Sequence, residues 1–197
     1  AVILPALYIA LITYNHEIIP PSLLINFTMQ KEGVPFPTIL EALIMNVIFE
    51  ILRETDLRTP STLGSALSIV GAIVLGDAAV EAGLVSPIMV IVIAITAISE
   101  LIFSTNEMSN VVKLWRLLFI VFAGLYGMVG VFVCVVLMTS SLSSVTSVGY
   151  PYLYPYAPYN KNDLNNAIRL TEKYKLTLRN KLTSFKNKIR GRIWKRK

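Results

Sequence analysis

Apolar positions dominate this chain, and the places where they are interrupted define its elements. Residues 2–14 form an apolar helical segment of about 20 Å, short of a bilayer core of about 30 Å. It reads as the second half of a membrane helix. With no initiator Met, basic n-region or small-residue cleavage site, the chain is expected to be a fragment or a truncated gene product. An interfacial group of Tyr14, Asn15, His16 and Glu17 follows, and Pro20 and Pro21 then suit the first turn of a new helix. The apolar run at 22–29 is short. Lys31, Glu32, Gly33, Pro35 and Pro37 break it, which predicts a loop, or a re-entrant turn where protein shields it from lipid. A helical pattern resumes over 38–53 with Leu40, Leu43, Ile44, Val47, Ile48 and Ile51 on one side. Glu41, Glu50, Arg53 and Glu54 make it amphipathic, and it is expected at the interface or in a shallow re-entrant position.

The stretch 60–87 is the centre of the pattern. Gly64, Ser68, Ala72 and Gly76 recur every fourth residue and Gly83 extends the series, so a helix here presents a ridge that another helix can approach closely. Asp77 and Glu81 lie one turn apart beside that ridge. Gly83 and Pro87 close the segment, and an apolar run at 88–98 follows so directly that the two form a tight hairpin or one broken helix. Glu100, near the end of that run, is either an interfacial anchor or a group facing the interior. The clearest span is 117–138, twenty-two residues without a charge and about 33 Å long as a helix. Lys113, Trp115 and Arg116 flank it as an interfacial anchor, and Gly124, Gly127 and Gly130 are expected to serve close helix packing.

Residues 139–147, rich in Ser and Thr, leave the bilayer. The segment GYPYLYPYAPY at 149–159 is expected to be extended and polyproline-like, its tyrosines in the headgroup layer. Beyond it, Leu178, Leu182, Phe185, Ile189 and Ile193 follow helical spacing with Lys181, Lys186, Lys188, Arg190 and Arg192 between them. That is a basic amphipathic helix suited to anionic lipid, and a membrane-tethered tail already has that surface beside it, so nucleic acid is not the expected partner.

Composition agrees: 54% of residues are apolar and 15% charged, against roughly 25% charged in a soluble domain. Charge is segregated. Residues 1–149 hold five Lys or Arg against ten Asp or Glu, and residues 150–197 hold thirteen against two. The chain therefore divides into a membrane domain at 1–148 and an exit segment with a basic tail at 149–197. The positive tail is expected in the cytoplasm, with the 104–116 loop outside. The fold class predicted is all-α, a polytopic helical membrane domain with broken or re-entrant helices. One cysteine, Cys134, and one histidine exclude an internal disulfide and leave a zinc site without its usual ligands. No glycine loop with a phosphate-binding lysine appears, so neither enzyme nor cofactor chemistry is expected.

Five stretches together resemble the A subunit of bacterial spore germinant receptors, the GerA family, which includes the SpoVAF proteins. They are YNHEIIP at 14–20, EGVPFP at 32–37, Glu41 with FEILRE at 49–54, IVGAIVLGDAAVEAGLVSP at 69–87 and GYPYLYPYAP at 149–158. The chain departs from the family at Ser99-Glu100, where an apolar or aromatic residue usually follows Ser, and in lacking a proline near 103–105. The resemblance implies a longer protein with a soluble N-terminal region, seated in the spore inner membrane. It also implies two partners, a transporter-like nutrient-binding B subunit and a lipoprotein C subunit, and a homo-oligomer that conducts ions.

On the residues themselves, acids in a membrane segment are costly and usually face a cavity or a partner. Asp77 and Glu81 are therefore candidates to draw cations into a path between subunits, with Glu41 and Glu50 at its mouth. Alternatively, Asp77 and Glu81 sit near an interface or pair with Arg53 or Arg58 and only orient the helix. The other readings are a fragment of a secondary transporter and a non-conducting scaffold for receptor partners.

Overall fold

The computed structural model describes residues 1–58, 71, 74–100, 102–103 and 106–159, the side chains of 56–58 and 106 apart. It is mostly helical and falls into two compact units, 1–135 and 136–197. In the first unit, helix α1 is Ile3–Thr13, a 3-10 turn covers His16–Ile18, α2 is Pro21–Lys31 and α3 is Thr38–Arg58. Helical residues 74–81 precede α4, Pro87–Glu100, and α5 is Asn106–Ser144. Of the small-residue ridge, Gly64, Ser68 and Ala72 lie outside the described residues, as do Lys181, Lys186, Lys188, Arg190 and Arg192 of the tail.

The proline and glycine signals end and begin helices as expected. Pro21 is the first residue of α2, and the chain turns through Gly33 at φ +99° before α3 begins at Thr38. Gly83, at φ +66°, caps the 74–81 helix. Its N–H donates to the Val80 carbonyl and that of Leu84 to the Ala79 carbonyl, both at 2.9 Å. This paired pattern satisfies the last carbonyls of a helix and reverses the chain tightly, leaving room for α4 to start at Pro87.

Helix α1 packs against α3 and α4, and its residues Ala6, Ile9 and Ala10 are wholly buried. Also buried are Ala42 and Met45 of α3, Met89 and Ile93 of α4, and Phe119, Ile120 and Ala123 of α5. Helix α4 is cleanly two-sided: Met89, Ile93, Thr96 and Glu100 face in while Ile91, Ile95 and Ile98 face out. Helix α3 buries polar side chains beside the apolar Ala42 and Met45. Thr38, Glu41 and Asn46 are buried while Leu40, Val47 and Ile51 are exposed. A large apolar exterior suits lipid or protein rather than water, and polar side chains then find partners only inside.

One helix among the described residues, α5, is long and apolar enough to cross a membrane. Its backbone is not continuous. Gly127 has φ 61° and ψ −137°, and beyond it the Cys134 Sγ lies 3.9 Å from the Leu118 carbonyl. In a straight helix sixteen residues span about 24 Å, so the chain folds back at Gly127. The run read as one uninterrupted crossing is thus creased near its middle, and the half at 117–126 reaches only about 15 Å. The cause is the glycine itself: few other residues adopt that backbone geometry.

In the second unit, α5 continues helically through Ser144, into the Ser/Thr-rich stretch. The strands β1, Thr146–Ser147, and β2, Tyr150–Pro151, then pair antiparallel, Thr146 opposite Pro151. Residues 152–159 are a series of turns, not the extended polyproline form expected. The Tyr154 N–H bonds the Pro151 carbonyl at 3.1 Å and the Tyr156 N–H the Leu153 carbonyl at 2.8 Å. Such bonds, three residues apart, define tight turns, in which proline is at home.

Candidate functional site

Charges clamp both ends of α4. At its start, Glu41 of α3 is fully buried, and its Oε2 accepts bonds from the Ser86 backbone N–H at 3.0 Å and the Ser86 hydroxyl at 2.9 Å. A carboxylate at a helix N-terminus complements the helix dipole and satisfies one of its free donors. Lys31, the last residue of α2, places its Nζ 3.5 Å from Glu41 Oε1 and bonds the Thr38 hydroxyl. Gly33 and Gly83 abut here, a Cβ on Gly83 falling 3.4 Å from the Gly33 carbonyl, so the two turns bring α2, α3 and α4 together.

At the other end of α4, about 20 Å away along the helix, Glu100 is buried between two arginines. Its two oxygens pair separately with Arg53 of α3 and Arg116 of α5. Beside them Lys113 pairs with Glu50. Two guanidinium groups on one carboxylate cost less to bury than either charge alone, and they tie three helices into one register. Glu100 is therefore an interior group. Arg116 is 4% exposed, so it is a buried partner and not the interfacial anchor expected from its place beside Trp115.

The crease in α5 forms a third polar centre. The Tyr14 hydroxyl lies 3.0 Å from the carbonyls of both Gly124 and Leu125, and Asn15 Oδ1 accepts from the Met128 N–H at 3.3 Å. These are the backbone groups freed where one helical arm stops and the next begins. The glycines sit where side chains do not fit. A Cβ on Gly127 would meet the Tyr14 Cβ at 2.8 Å and its ring at 2.9 Å, one on Gly124 would collide with the Ile39 side chain, and one on Gly130 with the Phe122 carbonyl.

The four acids read from the sequence as an ion path are not gathered. Glu41 is at the start of α4, while Glu50 is partly exposed on Lys113 near its far end. Asp77 and Glu81 are exposed and line an open groove with Gly76, Val80, Pro87, Val90 and Ile91. Gly76 of the ridge is buried, its Cβ position 3.5 Å from Val90 of α4. Arg53 is engaged with Glu100. No three His, Cys, Asp or Glu side chains cluster among the described residues in a way that would hold a metal ion. Periodicity missed Lys31, Ser86, Lys113 and Arg116 as partners, and Arg53 as the partner of Glu100, because their pairings span up to 63 residues. The usable signal was an acid or base embedded in an apolar segment, which demands a counter-charge somewhere.

The model of the Bacillus/Clostridium GerA spore germination protein family matches residues 1–182. Spore germination protein KA of Bacillus subtilis is 43% identical over 168 residues, covering 85% of this chain and 31% of that protein. An uncharacterized membrane protein of the same organism, YfkQ, is 36% identical over 166 residues, 84% of this chain and 32% of its own length. Spore germination protein GerLA of Bacillus cereus is 37% identical over 158 residues, 80% and 32% respectively. The chain thus spans about a third of these relatives. No solved structure matches it. With its own residues matched from the first helix into the basic tail, the chain belongs to the GerA spore germination protein family.

Proposed function

We propose that this chain is the membrane part of a subunit of a nutrient-responsive spore germination receptor, and that copies of it assemble around an ion-conducting path. The observation that carries the reading is the groove at the end of the 74–81 helix. Asp77 and Glu81 stand there on an exterior otherwise occupied by Val80, Val90 and Ile91. A carboxylate facing lipid costs about 2.5–3.5 kcal/mol on insertion scales and more by other measures, whereas one facing a water-filled path between subunits is favourable for cations. A second copy laid over the groove supplies that setting.

The family relationship extends the proposal: a transporter-like B subunit and a lipoprotein C subunit as partners, residence in the spore inner membrane, and no enzymatic activity. The basic tail is assigned to the cytoplasm, on anionic lipid. Cation flux through the purified chain in liposomes tests conduction. Asp77→Asn is expected to reduce that flux severalfold with assembly unchanged; equal flux with normal assembly rules Asp77 out of the path. A second reading, a non-conducting scaffold, draws on the interior, where Glu41, Glu50 and Glu100 are all engaged by basic side chains. Wild-type liposomes with no flux above that of empty ones select it.

A further inference from the structure

The centre at the start of α4 contains more than a helix cap. Glu41 is wholly sealed from solvent, yet only one of its oxygens is hydrogen-bonded. Oε1 accepts no hydrogen bond, and the Lys31 ammonium stands off at 3.5 Å because its bond goes to the Thr38 hydroxyl. The Ser86 hydroxyl donates to the carboxylate, and the Thr38 hydroxyl accepts from the same Lys31 ammonium that stands off Oε1. Neutral hydroxyl oxygens around one carboxylate are the hard donors that alkali cations prefer, and the ammonium stands where such a cation would sit.

We propose that the Lys31 ammonium is a tethered occupant of a monovalent cation site formed by Glu41, Thr38 and Ser86, and that an alkali cation takes the site when Lys31 withdraws. One carboxylate balances one positive charge. Calcium takes six to eight oxygens, usually with several carboxylates, and no such cluster exists among the described residues. Lys31 also has somewhere to go. It ends a helix that buries none of its residues, is 28% exposed, and borders an open groove with Leu24, Ile25, Thr28, Met29 and Glu32. At the next turn, the side-chain position of Gly33 faces open space. The site goes beyond the conduction reading and does not require it, since a cation held here would steady α4 in a protein that passes no ions.

The test uses the full chain in nanodiscs of neutral lipid, carrying Lys31→Met. Its melting temperature is followed as KCl or NaCl replaces choline chloride at constant ionic strength. The expected result is a saturable rise for Lys31→Met, little response in the wild type, where the lysine competes, and none in Lys31→Met/Glu41→Gln. A Lys31→Met protein that melts alike in choline and alkali salts, or fails to fold in every salt, overturns the site. So does an equal rise in the double variant, which places the cation elsewhere. Absent flux in liposomes beside a cation-responsive Lys31→Met removes the conduction reading and leaves this one standing.

Discussion

Two single residues carry more of this structure than their size implies. Gly127 adopts φ 61° and ψ −137° with the Tyr14 ring against it, so an alanine there meets both backbone strain and a collision. The strain alone is worth about 1–3 kcal/mol. Gly127→Ala should therefore lower the unfolding midpoint in detergent by an amount equivalent to at least that, and an unchanged midpoint would show that the crease is not strained. Glu100 is the other. It is 3% exposed and holds two arginines, and removing one member of a buried charge group typically costs about 3–5 kcal/mol because the partners remain buried and unpaired. Glu100→Gln, measured by the same unfolding assay, is expected to be among the most destabilising conservative changes in the chain. A loss below about 1 kcal/mol would place Glu100 in the class of solvent-screened surface pairs.

At the level of elements, the organising helix is α4, a 14-residue segment of about 20 Å with a carboxylate on its N-terminus and arginines at its C-terminus. The first placement complements the helix dipole; at the other end Glu100 itself opposes it, and the arginines offset that charge. The creased helix α5 makes a prediction that needs one substitution, because Cys134 is the only native cysteine. Leu118→Cys should form an intramolecular disulfide or short bismaleimide bridge with Cys134. A straight helix holds the two about 24 Å apart and forbids either. Much of the helical layout was legible from Pro20-Pro21, from the proline-flanked turn at Gly33 and from the Gly83 cap, since each acts through local backbone preference. The crease was not. Gly127 lies within an uninterrupted apolar run whose glycines read equally well as packing positions, and its partners Tyr14 and Asn15 are more than a hundred residues away. The buried face of α3 was half visible: its amphipathic pattern was plain, but which side turns inward depends on where Ser86 and Lys31 arrive.

At the scale of the whole molecule, the described residues of the first unit pack as helices with many apolar side chains outside and ionic clamps between them. Hydrophobic burial drives association poorly in lipid, so close glycine contacts and paired charges carry correspondingly more of the fold. In this setting Asp77 and Glu81, exposed in a groove otherwise lined by Gly76, Val80, Pro87, Val90 and Ile91, call for a partner, and a second copy over that groove is the resolution proposed. Ile91 is 57% exposed on the wall of that groove. Replacing it by cysteine, with Cys134→Ala to remove the native thiol, tests the account most directly. In nanodiscs or native membranes, Ile91→Cys is expected to give a cross-linked dimer in high yield with a short bismaleimide, and an Ile18→Cys control on the same background is not. A chain that stays monomeric under these conditions, with Ile91→Cys fully reactive toward a monofunctional maleimide, would contradict assembly across the groove and with it the shared ion path.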